Sequence, residues 1–135
     1  MSIEDTELPQ PFGTGGKARL LPLEEGLGKM RAAMAAKPDP QMVVAGRTSA
    51  VAMTGVEDAK ARIKAYSEAG VDAIFIVGAK TREQLDALSA VTDKPIILGG
   101  STPELSDSEY LAARGVRIAL QGHAPIMAAA QAVHA

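Results

Sequence analysis

An α/β fold of repeating strand–helix units is what this sequence predicts, and three observations predict it. Aromatic residues make up only 3% of the chain while Ala, Val, Ile and Leu abound, the composition expected where aliphatic strands lie under Ala-rich helices. Short aliphatic runs recur along the chain, each ending at or near a glycine. The segments between them carry helix-start signals.

Taken in order, the opening SIED reads as the end of a strand bearing two adjacent carboxylates, Glu4 and Asp5. A helix over about 23–36 follows, with Leu23, Leu27, Met30 and Met34 on one face, and Lys37-Pro38 ends it. The runs QMVVAGRT (41–48), VDAIFIVG (71–78), KPIILGG (94–100) and VRIALQG (116–122) are too short and too continuously apolar for surface helices, so they read as buried parallel strands. Thr54 with Glu57, Thr81 with Gln84 and Ser106 with Glu109 each have capping-box spacing, in which a hydroxyl and a carboxylate or amide satisfy unpaired N–H groups at a helix start. The helix over about 56–69 aligns Ala59, Ile63 and Tyr66 and stops at Gly70; the one over about 82–91 aligns Leu85, Leu88 and Val91. EAGVDAIFIVG and AARGVRIALQG share one plan 45 residues apart. Such units close either as an open doubly wound sheet or as the arc of a (β/α)8 barrel, and periodicity leaves both open.

A length of 135 residues predicts one domain over 1–135. A net charge of −2, with no basic block or aromatic platform, argues against nucleic acid as a partner. Cysteine is absent, which removes disulfides, thiolate metal sites and a thiol nucleophile, and fits a cytoplasmic protein. No apolar run approaches the roughly 18 residues of a membrane span.

In either closure, ligands bind beyond the carboxyl ends of the strands. Glu4 and Asp5 stand there, then Gly46, Arg47, Thr48 and Ser49, then Gly78 with Lys80, Gly99 and Gly100 with Ser101 and Thr102, and last Gln121, Gly122 and His123. Small residues around a few polar ones make a rim that admits a small anion close to backbone, with Gly46 and Gly100 as substrate-binding candidates. Arg47 is suited to bidentate capture of a carboxylate or phosphate, or else to an ion pair with an acid such as Glu4. Glu4 and Asp5 offer oxygen ligands to a hard divalent cation, or are solvated. His123 is placed to move protons near neutrality, or is a hydrogen-bonded turn residue. The Gly99-Gly100-Ser101 and Gly122 turns cradle a phosphate, or are tight βα turns.

The segments IEDTELPQPFG, LEEGLGKMRAAMAA, DPQMVVAGRTSA, AYSEAGVDAIFIVG and ARGVRIALQGHAPIMAAAQAV occur in order over nearly the whole chain. In them the sequence resembles the isocitrate lyase and phosphoenolpyruvate mutase superfamily, in its oxaloacetate decarboxylase-like branch. The resemblance implies the carboxyl-terminal half of a (β/α)8 TIM-type barrel: about five parallel strands alternating with helices, from the end of the fourth barrel strand through the eighth strand and the start of its helix. It also implies magnesium and the making or breaking of C–C or P–C bonds beside a 2-oxo carboxylate. By position, Glu4 matches the family's glutamate near magnesium, Arg47 the arginine that grips the substrate carboxylate, and His123 a histidine of the decarboxylase-like branch. The family's Asp-rich magnesium motif has no counterpart here. Nor has the tyrosine expected in GGSTPEL, or the lysine-cysteine-glycine signature of the lyases and mutases, and the last helix ends early. The expectation is a magnesium-dependent lyase of 2-oxo carboxylates that is weak or inactive alone. The alternative is a non-catalytic shortened paralogue or small carboxylate-binding domain. Self-association, or a complementary amino-terminal half-barrel, is the expected partner.

Overall fold

The computed structural model describes residues 1–9, 12, 15, 17–100 and 102–134. Five strands, β1 (Ser2–Glu4), β2 (Ala45–Thr48), β3 (Ala73–Ile76), β4 (Ile96–Leu98) and β5 (Val116–Ala119), form one parallel sheet in the order β1-β2-β3-β4-β5. The helices are α1 (Leu23–Ala35), α2 (Ala50–Met53), α3 (Val56–Glu68), α4 (Arg82–Ser89), α5 (Ser108–Ala113) and α6 (Ala124–His134), with a 3-10 turn at Pro103–Leu105.

That strand order decides between the two closures. A doubly wound sheet reverses its order at a switch point; here each strand pairs with the next one in sequence. Right-handed crossovers of constant direction lay every helix on one face, which is the geometry of a barrel arc. Alternation along the strands agrees. Ile74, Ile76, Ile96 and Leu98 are at most 1% exposed and pack with Ile63, Tyr66, Leu85 and Leu88. Their neighbours Phe75 and Ile97 point the other way and are only half-buried, and Ile118 is 51% exposed.

The strands are shorter than the aliphatic runs suggest, because hydrogen-bonded pairing occupies only three or four residues of each. At the head of β2, Val44 donates its N–H to the Asp72 carboxylate (2.8 Å), which Lys37 also holds at 3.0 Å, so a side chain replaces the ladder there. The Thr81–Gln84 capping box is present in full. The other two are not. Thr54 ends α2 instead, its hydroxyl on the Ala50 carbonyl and the Asp58 carboxylate, and Gly55 opens α3 at φ +101°, where a side chain would be strained. At α5 the cap moves one residue on: the Asp107 carboxylate accepts from the N–H groups of Glu109 and Tyr110, while the Ser106 hydroxyl donates to the Pro103 carbonyl and closes the 3-10 turn.

Among the described residues, both outer edges of the sheet lack a partner strand. The Asp5 N–H bonds the Arg47 carbonyl of β2, and a trans peptide sets C=O against N–H, so the Glu4 carbonyl points outward; the Lys29 ammonium of α1 donates to it at 2.6 Å. At the far side Gly115 accepts from Ile96 of β4, which turns the Val116 main chain outward, and the Arg117 guanidinium donates to the Val116 carbonyl at 3.3 Å. Among the described residues no helix is long and apolar enough to cross a membrane.

Candidate functional site

Strand register assembles the site. Glu4, Arg47 and Phe75 are direct neighbours across β1, β2 and β3, so their side chains rise from the same bare face of the sheet near the carboxyl ends of the strands. The Arg47 guanidinium reaches Glu4 Oε2 at 3.2 Å on one side and lies 5.3 Å from the Phe75 ring centroid on the other. Its Nε is buried and has no hydrogen-bond partner among the described residues. A guanidinium so placed is held flat by charge and ring contacts, yet retains N–H donors for a planar anion.

Glu4 and Asp5 part company at this point. Alternation sends Asp5 through to the helix side, where it is fully buried. Its Oδ2 accepts from Tyr66 Oη at 2.8 Å and from Arg62 Nη1 at 3.2 Å. Arg62 continues to Asp58 (2.9 Å), and Asp58 to Thr54 (2.6 Å). Burial, then the Asp5 charge and hydrogen bond, push the Tyr66 hydroxyl well above an ordinary phenol's pKa. Burial acts to raise Asp58 as well, but its bonds to Thr54 and Arg62 prevail and hold it below the usual carboxylate range. The two acids predicted as neighbours on one cation therefore lie on opposite faces, and Asp5 serves the core.

The remaining predicted residues fall in several places. Gly46 is covered from the helix side, since a Cβ there would meet Tyr66 Cβ at 3.3 Å and Met30 Sδ at 3.5 Å; its smallness serves that packing and leaves only backbone for a ligand. A Cβ on Gly100, just past β4, would meet open space, whereas one on Gly99 would come within 2.8 Å of Phe75 and Val77. Thr48 turns inward and accepts the Ala50 N–H at 3.2 Å to start α2, and Gly78, at φ +89°, gives way to Ala52. The Lys80 N–H bonds the Gln84 side chain, and its carbonyl accepts from Thr102. Ser101 lies outside the described residues. His123 is exposed in the turn between β5 and α6, its carbonyl accepting from Met127, and its imidazole has no bond to the Glu4–Arg47 pair.

Three participants escaped the sequence reading, Arg62 beneath Asp5, Phe75 beside Arg47 and Lys29 behind Glu4, and Tyr66 was read there only as part of a core-facing helix face. For Arg62 a signal existed, because it sits at helical spacing within the apolar stripe of Ala59, Ile63 and Tyr66, and a charge there demands a buried partner. As to magnesium, Glu4 is the one predicted ligand on the bare face. Among the described residues no three His, Asp or Glu side chains converge on a point. A hard divalent cation takes about six oxygens, so this chain's residues by themselves do not fit one.

A single-wound parallel sheet with an arginine and a carboxylate near the carboxyl ends of its strands defines an arc of the (β/α)8-barrel class. The phosphoenolpyruvate phosphomutase family model matches residues 1–135, and the chain belongs to that family. It is 56% identical over 133 residues to an oxaloacetate decarboxylase of Rhodopseudomonas palustris, a match covering 98% of this chain and 46% of the relative. A Bradyrhizobium oxaloacetate decarboxylase is 53% identical, with 99% and 46% covered. Among solved structures, oxaloacetate acetylhydrolase with the inhibitor 3,3-difluorooxalacetate superposes at a TM-score of 0.76 with 27% identity, over 98% of this chain and 47% of that one. Phosphonopyruvate hydrolase does so at 0.73 with 31% identity, over 98% and 47%. The chain thus spans about half the length of the relatives it matches, so barrel-type neighbours share five of its strand–helix units rather than a closed ring.

Proposed function

We propose that this chain is the carboxyl-terminal half of a lyase acting on 2-oxo carboxylates, of the oxaloacetate decarboxylase kind, and that alone it is a weak catalyst or none. The observation that carries the reading is Arg47: buried at Nε with no partner among the described residues, flanked by Glu4 and Phe75, on the bare face near the carboxyl end of β2. Its free donors suit the carboxylate beside a ketone. Oxaloacetate held there loses its other carboxylate as carbon dioxide when the C–C bond breaks, and the electron pair passes to an enolate of pyruvate. His123 would polarise that oxygen or return the proton to carbon, once the β5–α6 turn is brought to the site. Gly46 and Gly100 would let the substrate approach backbone. The magnesium that the family resemblance implies would have Glu4 as one nearby oxygen and needs further carboxylates from outside this chain. No step here runs through it.

The half-buried face around Phe75, Ile97 and Ile118, together with two unpaired edges, supports a partner that supplies the remaining strands, with a second copy as the other arrangement. A cytoplasmic location accords with the absence of cysteine. A second reading, a carboxylate-binding domain without turnover, is favoured by the Glu4–Arg47 ion pair and by the lack of a metal-binding set among the described residues.

The test is pyruvate release from oxaloacetate by the purified chain with and without magnesium, beside oxalate binding by calorimetry, each repeated with Arg47→Ala. Magnesium-dependent turnover lost in the variant supports the lyase. Oxalate binding indifferent to magnesium but lost in the variant supports the binding domain. Absence of turnover by itself agrees with a half-barrel that is weak alone; absence of oxalate binding as well removes Arg47 as a carboxylate site and overturns both readings.

A further inference from the structure

We propose that Asp5 is a positioning residue: clamped by Arg62 and Tyr66 on the helix side, it sets the backbone from which Glu4 and Arg47 face a ligand on the other. The contacts converge on that one residue from four directions. The Asp5 N–H holds the Arg47 carbonyl (3.3 Å), and the Asp5 carbonyl accepts the Leu21 N–H (2.8 Å), so the ends of β1 and β2 and the return of the β1–α1 loop are joined at its main chain. Its side chain takes Tyr66 and Arg62 from α3, and Arg62 Nη1 also donates to the Leu21 carbonyl at 3.0 Å. From α1, Gly26 leaves the room this needs, since a Cβ there would come within 2.5 Å of Tyr66 Oη and 3.3 Å of Asp5 Cβ.

Stability alone does not account for so costly an arrangement. A buried ion pair is often replaceable by apolar side chains without loss of stability, and in some proteins it is kept because it fixes geometry that apolar packing leaves loose. Asp5 Oδ1 is buried with no hydrogen-bond partner among the described residues, a further cost borne one residue from Glu4. The clamp also closes the loop stem, where Thr6 pairs with Leu20, Glu7 N–H bonds the Arg19 carbonyl (2.9 Å) and Arg19 meets the Glu7 carboxylate (2.7 Å). The two adjacent acids thus divide the labour: Glu4 faces the ligand side, and Asp5 aims it.

The affinity arm of the test rests on Arg47 as the carboxylate site; the spectroscopic arm does not. Oxalate binding to the full chain is measured by calorimetry, and the Arg47 Nε–H and Leu21 N–H resonances are followed by NMR in the wild type, Asp5→Asn, and Asp5→Asn with Arg62→Gln. In Asp5→Asn both resonances move and oxalate binds about tenfold more weakly, as when a group orienting a ligating side chain is lost. The double variant removes the Arg62 charge, which Asp58 alone balances once Asp5 is neutral, and regains thermal stability, but neither the affinity nor the resonance positions. If the single variant fails to fold, the double variant carries the comparison. Wild-type affinity and resonances in either variant overturn the proposal. If the wild type does not bind oxalate, Arg47 is not a carboxylate site in this chain alone, and positioning is judged on the resonances alone: moved supports it, unmoved overturns it.

Discussion

The first and last strands of this sheet are both edges, yet they are furnished in opposite ways. Beside β1, α1 and α3 meet over a buried carboxylate, and Met30, Ile63 and Tyr66 are wholly enclosed. Within β5 only Val116 is buried, and α6 buries none of its described residues, with Ile126 65% and Val133 85% exposed. Composition would have ranked them the other way, because α6 is more apolar than α3 and carries no acidic or basic side chain until His134. What differs is the number of neighbours. α3 lies over β2 and β3 between α1 and α4; α6 follows the outermost strand, and the described residues offer it no further strand to lie on. Burial is conferred by the surroundings a helix finds, and hydrophobicity sets only what is gained once they are there.

The largest effect expected from this contrast is at the β1 side. Arg62→Ala strands the buried Asp5 charge and should cost about 3–5 kcal/mol in urea unfolding; a loss near zero would erase the difference between the two edges. Alkaline pH probes the same cluster. The Tyr66 pKa is raised in the folded chain, so its contribution is complete below an ordinary phenol's value and is lost as pH rises beyond it toward the folded value. Stability should therefore fall above about pH 10 by up to about 1.4 kcal/mol per pH unit, and Tyr66→Phe should flatten that slope. Midway along the sheet, Thr81→Ala removes the complete capping box of α4 and should lower stability by about 1 kcal/mol in the same assay. At the far edge, Ile126→Asn should change it by less than about 0.5 kcal/mol, as for a surface position. A larger loss there would reveal a neighbour for α6 in solution and sharpen the contrast into a question of assembly.

Much of this was legible in the sequence, for reasons that also mark where legibility stops. Strands announce themselves by local aliphatic runs, so β2 to β5 were legible that way and β1 only as the strand end SIED, with the head of β2 overestimated because Asp72 replaces the ladder there. Residues lining one register follow from strand order, so Glu4 with Arg47 was foreseeable as an ion pair. Local caps were half legible: Thr81 obeyed its spacing, while Gly55 and the Asp107 carboxylate displaced the hydroxyls of Thr54 and Ser106 as helix starts. Asp5 was misplaced because its partners are 57 and 61 residues away in sequence, and spacing carries no information at that range. His123 was placed correctly in the β5–α6 turn, but its relation to Arg47 depends on the approach of parts of the molecule that no local pattern encodes.

The cations seated on the outward carbonyls, Lys29 on Glu4 and Arg117 on Val116, bear on how copies of this chain can grow into larger bodies. Head-to-tail propagation of a parallel sheet would require the β5 of one molecule to offer its edge to the β1 of the next, indefinitely. Each such step must first evict an ammonium at one end and a guanidinium at the other, so both ends of the would-be polymer carry a chain terminator. Fibre growth is discouraged at its propagation step, and an incoming strand that competes must bring its own acceptor for the displaced charge.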